Sequence, residues 1–232
     1  MFEIIPSADR YTADFGWLKT RWHFSFGDYY DAKNVHFGAL RVFNDDIIEG
    51  GGGFDTHPHR DMEIISWLSQ GAMTHTDSTG NDHTLHPNEV QVMSAGTGIF
   101  HGEHNASKTE AVRLMQIWIL PRHKGNTPRW EQQPTDPAAR VNRLLPIVTG
   151  DGRDGTLAID QDATIYVSTL KKGQSVKHVS GGNRRAYLFV SDGAVSVNGK
   201  PLANGDQARI SNEAELNIEA SVDSELLLID LP

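Results

Sequence analysis

The chain has 232 residues, a formal net charge of −9, 22% charged and 38% hydrophobic residues. That balance leaves room for one large domain or two of about 100 residues each, and it excludes a disordered polymer and sequence-independent nucleic-acid binding, which needs a basic surface. With no cysteine there is no disulfide, thiolate ligand or thiol nucleophile, so any metal must be held by nitrogen and oxygen.

The N-terminus, MFEIIPSADRY, lacks the charged, apolar and small-residue order of a signal peptide. No apolar run approaches the roughly 20 residues of a spanning helix, so a cytoplasmic location away from membranes is expected. Next, RWHFSFGDYYD (21–31) alternates: Trp22, Phe24 and Phe26 would face one side of a strand, His23 and Ser25 the other. Further short runs follow in GALRVFND (38–45), MEIISWLSQG (62–71), LMQIWILP (114–121), RAYLFVSDG (185–193) and ELLLIDLP (225–232). Each is apolar or alternating and bounded by turn residues, which predicts an all-β sandwich or barrel. No segment carries a sustained helical period, and DPAAR (136–140) is the best short-helix candidate.

Five of the ten prolines fall between 121 and 146. That region reads as a connector, dividing residues 1–130 from residues 131–232. The two parts look like distant copies. In the first, a glycine-rich turn leads to His57, an apolar strand and Gly71. In the second, KKGQSVKH (171–178) leads to RAYLFVSDG. Strand, turn and strand then follow in the same order in both, which indicates an internal duplication.

Histidine breaks the symmetry. Eight of the 11 lie between 57 and 123, and only His178 lies beyond. In THPHRDMEI (56–64), His57 and His59 share a face if the segment is extended. Pro58 faces away and biases His57 towards extended backbone. In GTGIFHGEHN (96–105), His101 and Glu103 repeat the spacing after a glycine turn. If these strands lie side by side, three imidazoles and a carboxylate converge on one divalent first-row ion. Surface histidines and a solvated acidic turn would give the same spacing. Alternation also puts Glu63 on the side of His59, so spacing does not choose between Glu63 and Glu103.

These residues resemble a family. The span GGGFDTHPHRDMEI…G (51–71) resembles the first cupin motif, and GTGIFHGEHN resembles the second, with Gly98, His101 and Asn105 at the expected offsets. Together with RWHFSFGDYYD, the likeness is to pirins and pirin-like quercetinases. It covers nearly the whole chain, with specific motifs in the first half only. It implies a bicupin: two face-to-face antiparallel β-barrels of jelly-roll type. Residues 1–130 would form the metal-binding N-terminal cupin domain and residues 131–232 a cupin-like domain without metal.

The same resemblance implies His57, His59, His101 and Glu103 as ligands of one divalent ion, Fe(II) in first place, with Cu, Ni, Mn, Co or Zn as alternatives. It implies a quercetin 2,3-dioxygenase-like enzyme that opens the central ring of a flavonol with dioxygen and releases carbon monoxide; in such a reaction Glu103, as ligand or after loosening from the metal, is placed to take the substrate's proton. The alternative is a non-enzymatic, iron-binding redox sensor that acts through a protein partner. Two departures stand out. Gly96 occupies the place of a usual proline, and the glutamate that general cupins use corresponds to Glu63.

The remaining candidates have plainer readings. Glu63 would orient a ligand imidazole or pair with Arg60 or Arg113. His75, His83, His86 and His104 are expected on turns or rims. Trp67, Trp118 and Phe100 are expected in the core or a pocket wall, and His178 lacks a partner histidine. Imidazole ligands, with a reference pKa of about 6.5, predict metal loss as pH falls through roughly 6 to 5.

Overall fold

The computed structural model describes residues 1–181 and 183–232. Among them the regular structure is β-strand, apart from two three-residue 3-10 turns at Ser7–Asp9 and Arg153–Gly155. No helix among the described residues is long and apolar enough to cross a membrane. DPAAR is a turn: Asp136 accepts from the backbone N–H of Ala138 and Ala139.

The chain divides into two compact units. One comprises Tyr11–Thr135 and Leu157–Gln161; the other comprises Met1–Arg10, Asp136–Thr156 and Asp162–Pro232. In the first, a large antiparallel sheet runs in the order Arg129–Pro134, Glu89–Ser94, Glu63–Gln70, Val112–Ile119, Leu40–Ile48, Leu18–Trp22, Tyr11–Asp14. A smaller sheet runs Gly53–His59, Ile99–Asn105, Met73–Asp77, Asp82–Leu85. Leu18, Ile48, Leu68, Val112 and Leu114 of the large sheet pack with Met73 and Leu85 of the small one. Burying each such side chain contributes about 1.5–3 kcal/mol.

The expected barrels are not there. Neither sheet closes on itself: the large one ends in Arg129–Pro134 and Tyr11–Asp14, the small one in Gly53–His59 and Asp82–Leu85. A barrel requires the first and last strands to share a ladder. The units are cupin-like all-β sandwiches of open sheets. Apolar alternation specifies a buried face but not whether a sheet curls to meet its own edge, which is why the sequence could not exclude closure.

The second unit repeats the plan. Its larger sheet contains the order Phe2–Ile5, Gln207–Ser211, Arg185–Asp192, Ser224–Leu231, Thr164–Leu170, Leu145–Thr149, and its smaller sheet runs Ser175–Val179, Glu215–Ala220, Val195–Val197, Lys200–Leu202. The run from Leu40–Ile48 to Val112–Ile119 and that from Thr164–Leu170 to Ser224–Leu231 take corresponding places, strand for strand. Where His57 faces His101 in one unit, His178 faces Leu216 in the other.

Sequence pattern explains the strands that position the site. Leu18–Trp22 alternates buried and exposed, as a strand near a sheet edge does. Leu40–Ile48 is central, and its middle residues are buried on both faces. Three of them, Asn44, Asp45 and Asp46, are polar. Asp45 is held by Arg113 Nε and Nη2 at 2.9 and 3.0 Å. Asn44 and Asp46, two residues apart, turn to the same cavity. Within the region read as a connector, Arg129–Pro134 pairs residue for residue with Glu89–Ser94.

Candidate metal centre and cavity

Gly53–His59 and Ile99–Asn105 are neighbours in the small sheet. His57 stands opposite His101, and His59 opposite Ile99. Ligand atoms of His57, His59 and His101 lie within 4.8 Å of one another. Pro58 is exposed on the other side. Its missing N–H is tolerable because its strand ends the sheet. The register then shifts: Glu103 pairs with Phe54, so one extra residue lies on the His57 strand between the two pairs. Such a bulge re-aims side chains beside it.

Glu103 is buried, and its carboxylate accepts from Gln116 Nε2 at 2.6 Å and from Ser66 Oγ at 3.4 Å. Its oxygen lies within 4.8 Å of ligand nitrogens of His101 and His75. Two overlapping groups, His57–His59–His101 and His75–His101–Glu103, therefore share His101.

These groups fit a cation. Burial, then the charges of His101 and His57, push His59 down to about 4, against a smaller opposing pull from Glu103. Burial, then His57 and His75, push His101 down to about 3, with Asp77 opposing. Both imidazoles thus stay in the neutral, metal-binding form at ordinary pH. Among the described residues, the buried Nε2 of His101 has no hydrogen-bond partner. His57 Nδ1 lies 2.7 Å from the backbone oxygen of Asp55; donating there leaves Nε2 as the lone-pair nitrogen. A buried lone pair without a donor costs free energy that a metal ion would recover. The nitrogen and oxygen donors form a site for a divalent transition metal ion.

A cavity of about 400 Å³ opens beside this centre, with His57, His59 and Glu103 in its wall. Phe15, Trp17, Trp22, Phe26, Phe54 and Trp118 supply aromatic walls, and Asn44, Asp46 and Gln116 supply polar ones. Trp118 packs edge-on against His59 at 4.7 Å, and its indole N–H donates to Gln116 Oε1 at 3.1 Å. Gln116 therefore has a fixed orientation, with its amide N–H aimed at Glu103. Asp46 accepts from the Thr20 hydroxyl. Burial raises Asp46 to about 7, with Asp45 and Glu103 adding to the rise and Thr20 opposing it.

Several expectations change. His75 is not on a rim: it is fully buried behind His101, with Nε2 3.0 Å from Asp77. The His-x-acid spacing of MTHTD matched that of His101 and Glu103 and could have revealed it. Glu63 orients no imidazole through a hydrogen bond and pairs with neither arginine. Its carboxylate accepts from Ser94 at 2.5 Å, while Arg60 lies beside Asp61 and Arg113 binds Asp45. Phe100 is exposed, whereas Trp67 is core and Trp118 is cavity wall. Trp22 and Phe26 do share the cavity face, but the strand ends at Trp22, and His23 stacks on Phe43 at 4.6 Å. His83, His86 and His104 are exposed. His178 has no histidine opposite it and instead lies 2.6 Å from Asp230 through Nε2. Gln116, Asn44 and Asp46 were missed; their signal was a polar residue inside an apolar strand.

Comparison with known proteins agrees with this geometry. A family model described as Pirin matches residues 6–119, and one described as Quercetinase C-terminal cupin domain matches residues 146–231. The chain is 45% identical to the quercetin 2,3-dioxygenase of Escherichia coli (strain K12), covering 100% of this chain and 99% of that one. It is 44% identical to the pirin-like protein of Caulobacter vibrioides over 94% of each chain. Among solved structures it is similar to the bacterial pirin YhhW of Escherichia coli in complex with nickel(II), with a TM-score of 0.95, 42% identity, and coverage of 100% of this chain and 99% of that one.

Proposed function

This chain belongs to the pirin family, and on that footing we propose that it is a metal-dependent dioxygenase of the quercetin 2,3-dioxygenase type. The observation that carries the reading is the cavity itself: aromatic walls sized for a flat polyphenol, lined by His57, His59 and Glu103. The ligands are His57, His59, His101 and Glu103. The ion is Fe(II); the same donors accept other first-row ions, and cellular supply chooses among them.

When bound, a divalent ion lowers the pKa of a coordinated hydroxyl by several units and supplies the centre that dioxygen chemistry needs. The protein's own groups do the rest. The three imidazoles hold the ion and move no proton. Glu103 takes the enolic proton of the flavonol. Gln116 fixes one carboxylate oxygen, and the longer Ser66 contact leaves the other freer. The aromatic walls orient the flat rings and keep water out. In the overall reaction both atoms of dioxygen enter the ring-opened ester, one ring carbon leaves with its oxygen as carbon monoxide, and the proton returns to the product.

The test is direct. Metal-reconstituted protein should consume dioxygen, release carbon monoxide and bleach the visible band of quercetin, and elemental analysis of native protein should return iron. An unchanged quercetin band over hours, where an active quercetinase clears it, would overturn the enzyme reading. Stoichiometric nickel or another ion would overturn the assignment of Fe(II).

A further inference from the structure

His75 and Asp77 lie outside the cavity lining and have no part in the chemistry above. Their arrangement nevertheless determines which nitrogen His101 can offer. Met73–Asp77 pairs with the strand of His101, placing His75 opposite Glu103 and Asp77 opposite His101. His75 Nε2 is 3.0 Å from Asp77 Oδ2, and His75 Nδ1 is 3.4 Å from His101 Nδ1. The His75 ring stacks on Trp130 at 5.6 Å, which fixes its plane.

Asp77 is itself anchored. Its Oδ1 accepts from the backbone N–H and hydroxyl of Thr79 at 2.8 and 2.7 Å and from the Asn81 backbone at 3.2 Å. Its Oδ2 accepts from Asn81 Nδ2 at 2.9 Å. Burial works against its charge, but these hydrogen bonds outweigh it and hold the carboxyl far below its usual range. Asp77 is therefore a pure acceptor.

The protons then follow by elimination. A carboxylate only accepts, so His75 carries its proton on Nε2. Neutral His75 presents a lone pair at Nδ1, so the proton shared with His101 sits on His101 Nδ1. The lone pair of His101 is left on Nε2, the buried atom that has no partner among the described residues. The opposite assignment strands an N–H at that point. It also follows that both nitrogens of His75 are engaged, so His75 is not the ligand its proximity to His101 and Glu103 suggests.

We propose that Asp77 and His75 are positioning residues that lock His101 in the Nδ1–H tautomer and aim its Nε2 at the ion; the affinity consequence rests on the metal-centre reading given above. Partners behind a ligand of this kind typically contribute about 10–100-fold to metal affinity.

The test has two readouts. In metal-free protein, nitrogen-15 NMR of the histidine rings should show His101 protonated at Nδ1 and bare at Nε2. Asp77→Asn, whose amide can donate to His75 and reverse the order, should shift His101 away from that tautomer and weaken Zn(II) binding, measured by chelator competition, about 10–100-fold. A second pair guards against simple misfolding: His75→Leu should lose the affinity, and His75→Gln, whose amide oxygen can accept from His101, should recover most of it. An unchanged His101 tautomer in Asp77→Asn, or equal affinities for His75→Leu and His75→Gln, overturns the proposal. If His57→Ala binds Zn(II) as tightly as the parent, the metal-centre reading fails instead, and the tautomer measurement still decides the relay.

Discussion

Asp46 and Glu103 are two buried carboxyl groups in the wall of one cavity, and the charge of Glu103 adds to the burial that lifts Asp46 to about 7. The folded pKa exceeds the unfolded value of 3.8. Between the two, the folded state keeps a proton that the unfolded chain has released, so the contribution of Asp46 to stability falls as pH rises from about 4 to about 7. Asp46→Asn removes that penalty and can still accept from Thr20. In chelator-treated protein, its stability advantage should grow between pH 4 and pH 8, to about 4 kcal/mol at most, from some three units at 1.36 kcal/mol each. Urea melts at the two pH values measure it; a difference that stays flat with pH would refute the assignment.

Metal retention should be less acid-sensitive than the reference imidazole value implies. His59 and His101 are pushed to about 4 and about 3. Protons compete with the ion at these two ligands only near those values, so these two should remain ligands below the window of 6 to 5 that reference imidazoles imply. Dialysis against a weak chelator in pH steps, followed by metal analysis, gives the midpoint. In the metal-free fold these two imidazoles act in the same direction. Because the unfolded imidazoles protonate first, near 6.5, the contribution of His59 and His101 to stability should decline as pH drops from about 6.5 towards 4, opposite in sign to that of Asp46.

Trp118 packs on His59 and orients Gln116. Trp118→Ala should raise KM for quercetin roughly tenfold, the equivalent of one aromatic contact of about 1–1.5 kcal/mol. Trp118→Phe keeps the wall and loses only the indole N–H, so it should act chiefly on kcat through a looser Gln116 and Glu103. Steady-state kinetics of the two variants separate these effects. Identical profiles would mean that Trp118 only fills space.

Gly96, in the place of a usual proline, has a specific cause. Its φ is +49°, and a Cβ there would sit 2.0 Å from the backbone oxygen of Asn126. Its nearest neighbours are all backbone atoms, of Asn126 and Pro128, and not flexible side-chain tips. Gly96→Ala should cost more than about 2 kcal/mol and lower the melting temperature by at least about 5 °C. A thermal melt of the metal-free protein isolates this from any effect on ligation.

Much of this was legible in the residues. Alternation and glycine spacing identified an all-β chain, and the His-x-His and His-x-Glu pairs identified the two strands that meet. Sheet closure was not legible, because strand pairing at an edge is a long-range choice that leaves no local period. Nor was the burial of His75, since alternation gives a residue's face but not what covers it. Asn44, Asp46 and Gln116 were visible only as interruptions of apolar strands, and their common direction depends on register across Leu40–Ile48 and Val112–Ile119. Resemblance supplied the choice of Glu103 over Glu63, which spacing could not make. The contacts of Glu63 with Ser94 and of Glu103 with Gln116 are compatible with that choice.

The strand carrying His57 and His59 ends its sheet, with a ladder on one side alone. An ion bound jointly to it and to His101 would act as a clasp between the rim and the interior. Taking such an ion away would remove the clasp but leave the packed layers intact, so fraying should begin at residues 53–59 while the remaining sheet holds. Amide exchange confined to that rim would then serve as a gauge of occupancy, readable without unfolding the protein.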